Sequence, residues 1–348
     1  MKQEKYTIKD IAKMAQVSRG TVDRVIHGRG TVSKETYNRI KLIIDKLNYK
    51  PNLIARALKK GEAYRLAVLM PDYEFDVFWK RPFDGIEKAA MDYSTIGVKL
   101  DKFLFNPLKS QDFRDKAKII LKGNYLGVLI APVFYKESKD FFEKFINLNL
   151  PYITFNTFIE DSQSICHIGQ DLKQSGKTAA SLLSKLVKNT DEILIIHIEE
   201  VLENSRHMQE KELGFKQYFN DSSHSAGPIH VLKLKEINRI EEKVLQKLEA
   251  YPKIQGIFVS TSKAHHIACI LDKHNIFKYI VGYDLIEENV NYLNSGKIDF
   301  LIYQNPGSQA NQGISSLVDF LVFKMEIPDK KLLPIEIIIK ENIKNYLQ

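Results

Sequence analysis

Apolar positions follow two different rhythms along this 348-residue chain. Within the first fifty residues they recur at helical spacing: Ile8, Ile11, Ala12 and Ala15, then Val22, Val25 and Ile26, then Tyr37, Ile40, Ile44 and Leu47. That spacing lays an apolar stripe along each of three short helices. Thr7, with Asp10 three residues on, resembles a capping box for the first; Ser18 is the N-cap candidate of the second, which ends near Gly28. Ser33 caps the third, which Asn48 and Pro51 stop. Two short helices joined by about three residues make a helix-turn-helix, and the three together bury one small core.

From Arg65 onward the rhythm changes. Short continuous apolar runs alternate with amphipathic stretches: Leu66–Met70, Gly127–Ile130, Tyr152–Phe155, Ile193–Ile196, Ile257–Val259 and Tyr279–Gly282. Each run has the length of a buried strand and each stretch between has room for a helix. This alternation predicts mostly parallel sheets covered by helices on both faces, with ligands bound beyond the carboxyl ends of the strands. So long a remainder exceeds one core and predicts two lobes.

Charge separates the same two parts. Residues 1–60 hold 15 of the 51 Lys+Arg and only 5 of the 43 Asp+Glu, so the chain's net +8 resides there and the remainder is close to neutral. A segment so basic meets a polyanion, either nucleic acid or an anionic membrane surface. With 44% hydrophobic and 27% charged residues the chain can bury real cores, which excludes wholesale disorder. No run approaches the roughly 18 apolar residues that span a bilayer, and Met1 to Lys5 lead into polar residues, so a cytoplasmic protein is expected. Cys166 and Cys269 lie too far apart for a disulfide framework or a metal motif and read as small buried side chains.

The outer face of the second helix carries candidate chemistry. Arg19 and Asp23, like Gly20 and Arg24, are four residues apart and point away from the apolar stripe. Arg can read guanine O6 and N7 in the major groove, Gly20 permits close backbone approach, and Thr21 with the helix N-terminus can hold a phosphate. Ser18-Arg19-Gly20-Thr21-Val22-Asp23-Arg24-Val25-Ile26, Thr31-Val32-Ser33, Leu47-Asn48-Tyr49-Lys50-Pro51-Asn52 and Ala55-Arg56-Ala57-Leu58 resemble the lactose-repressor (LacI-type) family of bacterial transcription regulators. Asp23 and His27 depart from the family's small polar residue and Asn. The resemblance implies a helix-turn-helix DNA-binding domain over 1–50 and a hinge helix and linker over 51–62, ordered when two hinges pair on DNA. Leu58 would then be a minor-groove wedge, with Ala55 letting the backbone approach. The expected DNA-binding set is Thr7, Ser18, Arg19, Gly20, Thr21, Arg24, Asn52, Ala55 and Leu58. Its partner is a near-palindromic duplex operator bound by a homodimer, with no membrane.

In the remainder, polar and aromatic residues gather at strand ends: Asp72, Asp76, Phe78 and Trp79, then Asn156, Asp284 and Gln304. Rings that stack on an apolar face beside carboxylates and amides suit a sugar-like polyol. This part is similar to the effector-binding half of the same family and to periplasmic ribose-binding proteins, through Asp76-Val77-Phe78-Trp79, Ile168-Gly169-Gln170-Asp171, Gly282-Tyr283-Asp284 and Gln304-Asn305-Pro306. The resemblance implies a periplasmic-binding-protein type 1-like effector domain over 63–348, of two doubly wound parallel-sheet lobes. One lobe comprises about 63–158 and 306–325, the other about 159–303 and 326–342. It adds Gln170, Asp171, Lys211 and Thr261 to the ligand-binding set. Leu172, Lys211 and Thr261-Ser262 depart from the family's Asn, Arg and Asn-Asp, so the ligand differs from ribose while staying a carbohydrate or an acidic derivative.

No metal, cofactor or catalytic residue is expected. Ser175-Gly176-Lys177-Thr178 resembles the end of a P-loop, but Asp171 stands where that motif needs Gly. Adjacent His265 and His266 project in different directions on a helix, and His197 and His207 lack zinc-motif spacing. The function expected is therefore a sequence-specific transcription regulator under control of a small sugar-like ligand. The alternatives are a cytoplasmic solute-binding or sugar-processing protein with an incidental basic N-terminus, and a nucleoid-type protein without effector control.

Overall fold

The computed structural model describes residues 8–27, 32–46, 64–198, 206–221, 226–235 and 237–346. The chain divides into two compact units, Met1–Ala63 with Ser94–Gly97, and Tyr64–Tyr93 with Val98–Gln348.

The small unit holds α1 (Ile8–Met14), α2 (Arg19–His27) and α3 (Lys34–Lys46). Gln16, at a left-handed φ of 52°, turns the chain between α1 and α2. Ser18 Oγ then accepts from the Thr21 amide at 3.1 Å, and Ser33 Oγ from the Thr36 amide at 3.3 Å, so both serines cap as their positions predict. Ile11, Ala12, Ala15, Val22 and Ile40 form the core, with Val17, Val25, Ile43 and Ile44 packed against it. Tyr37 does not join them. It is 40% exposed, because a core this small covers α3 at Ile40 and leaves the helix's first turn outside. Thr7, Leu47, Pro51 and the expected hinge at 51–62, with Asn52, Ala55 and Leu58, lie outside the described residues.

The large unit contains two six-stranded sheets. The first has the order β11 (Lys330–Leu332), β5 (Cys166–Gly169), β4 (Tyr152–Asn156), β3 (Gly127–Ile130), β1 (Tyr64–Pro71), β2 (Val98–Phe105), and every pairing in it is parallel. The second runs β12 (Glu336–Ile338), β10 (Phe300–Tyr303), β9 (Tyr279–Tyr283), β8 (Ile254–Val259), β6 (Glu192–Ile198), β7 (Ile229–Leu234); β12 is antiparallel to β10 and the others are parallel. Central strands buried on both faces explain the continuous apolar runs. In β6, Leu194 and Ile196 face one core, while Ile193 and Ile195 face the other.

Helices cover both faces. In the first lobe α4 (Lys80–Ser94) follows a short 3-10 turn at Val77–Trp79; α5 (Ser110–Lys122) and α6 (Tyr135–Asn147) contribute Phe113, Ile120, Phe141 and Phe145 to one core. On that sheet α12 (Pro306–Val318) lies against Leu129, on the other face. In the second lobe α9 (Ile240–Ala250), α10 (Ala264–Lys273) and α11 (Glu287–Asn294) cover one face, and α7 (Leu172–Leu183) and α8 (Arg206–Asp221) the other. The P-loop-like run lies inside α7, where Gly176 serves helix packing: a Cβ on it would stand 2.0 Å from the Lys211 carbonyl oxygen, and one on Gly214 would stand 1.9 Å from that of Lys173.

The chain passes between lobes three times: at Gln170-Asp171, at Gln304-Asn305 and between Leu332 and Glu336. This shifts two expected boundaries. β5 pairs with β4, and β11 pairs with β5, so 166–169 and 330–332 belong to the first sheet, because each short strand completes its edge. Cys166 is buried as expected, whereas Cys269 is exposed. No helix among the described residues is long and apolar enough to cross a membrane.

Candidate effector cleft and DNA-facing helix

A cleft opens between the carboxyl ends of the two sheets, with about 70 Å³ open to the centre of a water molecule. The first lobe lines it with Asp76, Phe78, Trp79, Pro107, Val133, Phe134 and Asn156; the second with Leu172, His207, Lys211, Thr261, Ser262, Lys263, Asp284 and Gln304. One wall is thus mainly aromatic and apolar, the other mainly polar.

The aromatic wall is held from below. Asp76 Oδ1 accepts from the Phe78 amide at 3.1 Å and caps the 3-10 turn, which sets Phe78 and Trp79 edge to face, with ring centroids 5.1 Å apart. Trp79 in turn meets the ring of Phe155 at 6.1 Å. Asn156, ending β4, takes a left-handed φ of 69°, and Asp284, just past β9, a φ of 66°. Such backbone is uncommon outside glycine and concentrates at functional sites.

In the polar wall, Gln304 Nε2 donates to Asp284 Oδ2 at 2.7 Å, and the Gln304 amide approaches Oδ1 at 3.4 Å. Burial pushes the Asp284 carboxyl up to about 6, against the charge of Lys211 and the Gln304 hydrogen bonds, which favour ionisation. Lys211 Nζ donates to the Ser260 carbonyl at 3.1 Å and lies 3.5 Å above the Tyr283 ring. Thr261 Oγ1 is buried without a hydrogen-bond partner among the described residues. Asn289, absent from the expected set, donates to the carbonyls of Ser262, Tyr283 and Asp284 and so fixes two lining loops at once.

Behind this wall His197 Nδ1 meets Ser260 Oγ at 2.7 Å and His197 Nε2 meets Glu212 Oε2 at 2.7 Å. The His197 contact, with Lys216, draws the Glu212 carboxyl down to about 2. A Ser-His-Glu chain of this kind resembles a hydrolytic triad, but Ser260 is wholly buried behind the residues that line the cleft and is not one of them. The chain braces the carbonyl that holds Lys211. His265 and His266 do not diverge as expected; their rings lie 4.2 Å apart.

Eight of the eleven expected ligand residues meet in the cleft: Asp76, Phe78, Trp79, Asn156, Lys211, Thr261, Asp284 and Gln304. Three lie elsewhere. Asp72 accepts from the Glu74 amide in a local turn, Asp171 caps α7 through the Gln174 amide, and Gln170 Nε2 donates to the carbonyls of Tyr303 and Pro334. Each is polar at a strand end because the chain turns or crosses there. His207, Ser262 and Lys263 were not expected in the lining; they sit beyond strand ends without a distinguishing pattern.

In the small unit Ser18, Arg19, Gly20 and Arg24 are exposed on α2 and Thr21 is half-buried. Ser18 Oγ and Thr21 Oγ1 lie 2.9 Å apart at the helix N-terminus, so the polar start of α2 and both arginines face outward together.

Residues 7–52 match the model of the bacterial regulatory proteins, lacI family, and residues 66–325 that of the periplasmic binding protein domain. The chain belongs to the lacI family of bacterial regulatory proteins, with a periplasmic binding protein domain as its larger part. The ribose operon repressor of Lactococcus lactis subsp. lactis is 25% identical over 295 residues, covering 81% of each chain. A solved structure from Bacteroides fragilis assigned to the LacI transcriptional regulators is 29% identical, with a TM-score of 0.77 over 82% of this chain and 100% of that one. A glucose-galactose binding protein from Geobacillus stearothermophilus shares the fold, at 19% identity and a TM-score of 0.70 over 81% of this chain and 99% of that one. This lacI-family member is a DNA-binding regulator of transcription under ligand control, and its relatives are regulators of transcription.

Proposed function

We propose that this regulator is a cytoplasmic homodimeric repressor without catalytic activity, whose affinity for a near-palindromic operator is set by a sugar-like effector in the cleft. Asp284, Gln304, Thr261, Lys211, Asp76 and Asn156 hold the hydroxyls, and Phe78 and Trp79 carry the apolar face of the ring. Arg19 and Arg24 read the operator, Ser18, Gly20 and Thr21 approach its backbone, and Leu58 wedges the minor groove.

One observation carries the reading. Thr261 lines the cleft opposite a wall of rings, its Oγ1 is buried and without a partner among the described residues, and an unanswered buried hydroxyl costs about 1–3 kcal/mol. A polyol answers it while stacking on the rings. Coupling of about 1–3 kcal/mol between cleft and DNA changes operator affinity roughly 5–150-fold.

A thermal-shift screen of sugars and sugar acids tests the cleft, because a ligand of the folded state raises its melting temperature. A sugar should raise it in the wild type and fail in Asp284→Ala and Gln304→Ala; equal shifts in all three refute the assignment.

A further inference from the structure

A second chamber adjoins the cleft at the carboxyl end of β5 and the start of α7. About 180 Å³ in it is open to water centres, against about 70 Å³ in the cleft itself. Leu172 and His207 stand in the walls of both, so the two spaces are neighbours.

Two polar atoms of residues in this wall are buried with no hydrogen-bond partner among the described residues: His167 Nε2 and Gln170 Oε1. The residues are only 1% and 2% exposed. Each is anchored at its other end, His167 Nδ1 on Thr154 Oγ1 at 3.0 Å and Gln170 Nε2 on the Pro334 carbonyl at 2.9 Å. Both residues line the chamber with their unanswered atoms just beneath its surface, so a small shift of this wall brings them within reach of a guest that supplies the missing bonds.

The chemistry of that guest follows from the atoms. Gln170 Oε1 only accepts, so the guest donates to it. Burial holds the His167 imidazole down to about 4, so it is neutral near pH 7 and presents Nε2 as one donor or one acceptor. Arg206 is engaged by Glu160 at 3.1 Å and Glu210 at 3.3 Å, and Lys330 Nζ lies 3.7 Å over the Phe158 ring. An uncharged group with several hydroxyls fits these atoms, and Leu332 and Leu172 supply apolar surface beside them.

We propose that this chamber is the subsite for a second sugar ring, so that the regulator responds to a disaccharide or glycoside rather than to a free monosaccharide. The proposal rests on the sugar reading of the cleft.

Isothermal titration of the full chain tests it, with glucose, galactose and ribose against maltose, cellobiose, lactose, melibiose and trehalose, and with glucose 6-phosphate as the anionic probe. At least one disaccharide should bind about tenfold or more tighter than either of its own rings. Leu332→Trp fills the chamber from a position 52% exposed, where folding tolerates it. It should erase that advantage and leave the monosaccharide affinity within about twofold. Monosaccharides binding as tightly as disaccharides, an advantage that persists in Leu332→Trp, or tightest binding of glucose 6-phosphate each overturn the second-ring subsite alone. No binding by any sugar overturns the cleft reading with it.

Discussion

Asp284 and Gln304 stand past the ends of neighbouring strands, and the Gln304 side-chain Nε2 donates to the Asp284 carboxylate at 2.7 Å with both residues buried. The bond satisfies only part of a carboxylate that burial holds up to about 6. Above that pH the folded protein carries a charge it disfavours.

The sign of the pH effect follows. The folded-state value lies above the ordinary 3.8, so the stability contributed by Asp284 is full below about pH 4 and is lost as pH rises through about 6. Asp284→Asn removes that loss. Its melting temperature should exceed the wild type's at pH 8, by an effect on the order of 1–3 kcal/mol, and the gap should close towards pH 4. Sugar affinity should fall in the same variant, since a site residue trades stability for binding. A gap unchanged between pH 4 and pH 8 would reject the titration.

Thr261→Val keeps the shape of the side chain and deletes the unanswered hydroxyl. Stability in urea should hold or rise by up to about 2 kcal/mol, while sugar affinity drops about tenfold. Retained affinity would show that the hydroxyl meets no ligand.

Gly176→Ala drives a methyl group into the Lys211 carbonyl, where only 2.0 Å is available. Two helices must separate, at a cost of about 1–3 kcal/mol or more. Gly214→Ala strains the same contact from the other side, so the double variant should lose less than the sum of the two. Denaturant midpoints of the three variants check this.

Arg24→Ala should lose about 1–3 kcal/mol of discrimination between operator and unrelated duplex. Removing residues 1–60 should abolish DNA binding and leave the sugar-induced thermal shift in place. Fluorescence anisotropy at several salt concentrations separates the base contact from phosphate contacts, which alone set the salt slope.

Legibility followed burial. β1, β3, β4, β6, β8 and β9 announce themselves as apolar runs because helices cover both of their faces. β2, β7, β11 and β12 escaped, since edge strands such as Lys330–Leu332 keep polar side chains toward solvent. β5 fell to the wrong lobe because four residues are too few to show which sheet they complete. At the site, strand-end position suggested Asp284 and Gln304 but could not separate them from Asp72, and the family resemblance added Gln170 and Asp171 beside them. Those two have the same polarity and placement, yet their hydrogen bonds hold a chain crossing and a helix start. What separates the cleft residues from those two is where the folded chain brings their side chains, and composition carries no trace of it.

Gln170 sits in the first chain crossing, and its amide nitrogen reaches the carbonyls of Tyr303 at the second and Pro334 at the third. One side chain therefore sets the spacing of every strand that passes between the lobes. The three crossings are thereby tied into one strip rather than left as three separate linkers, so a displacement of any one of them is carried to the other two through a single amide.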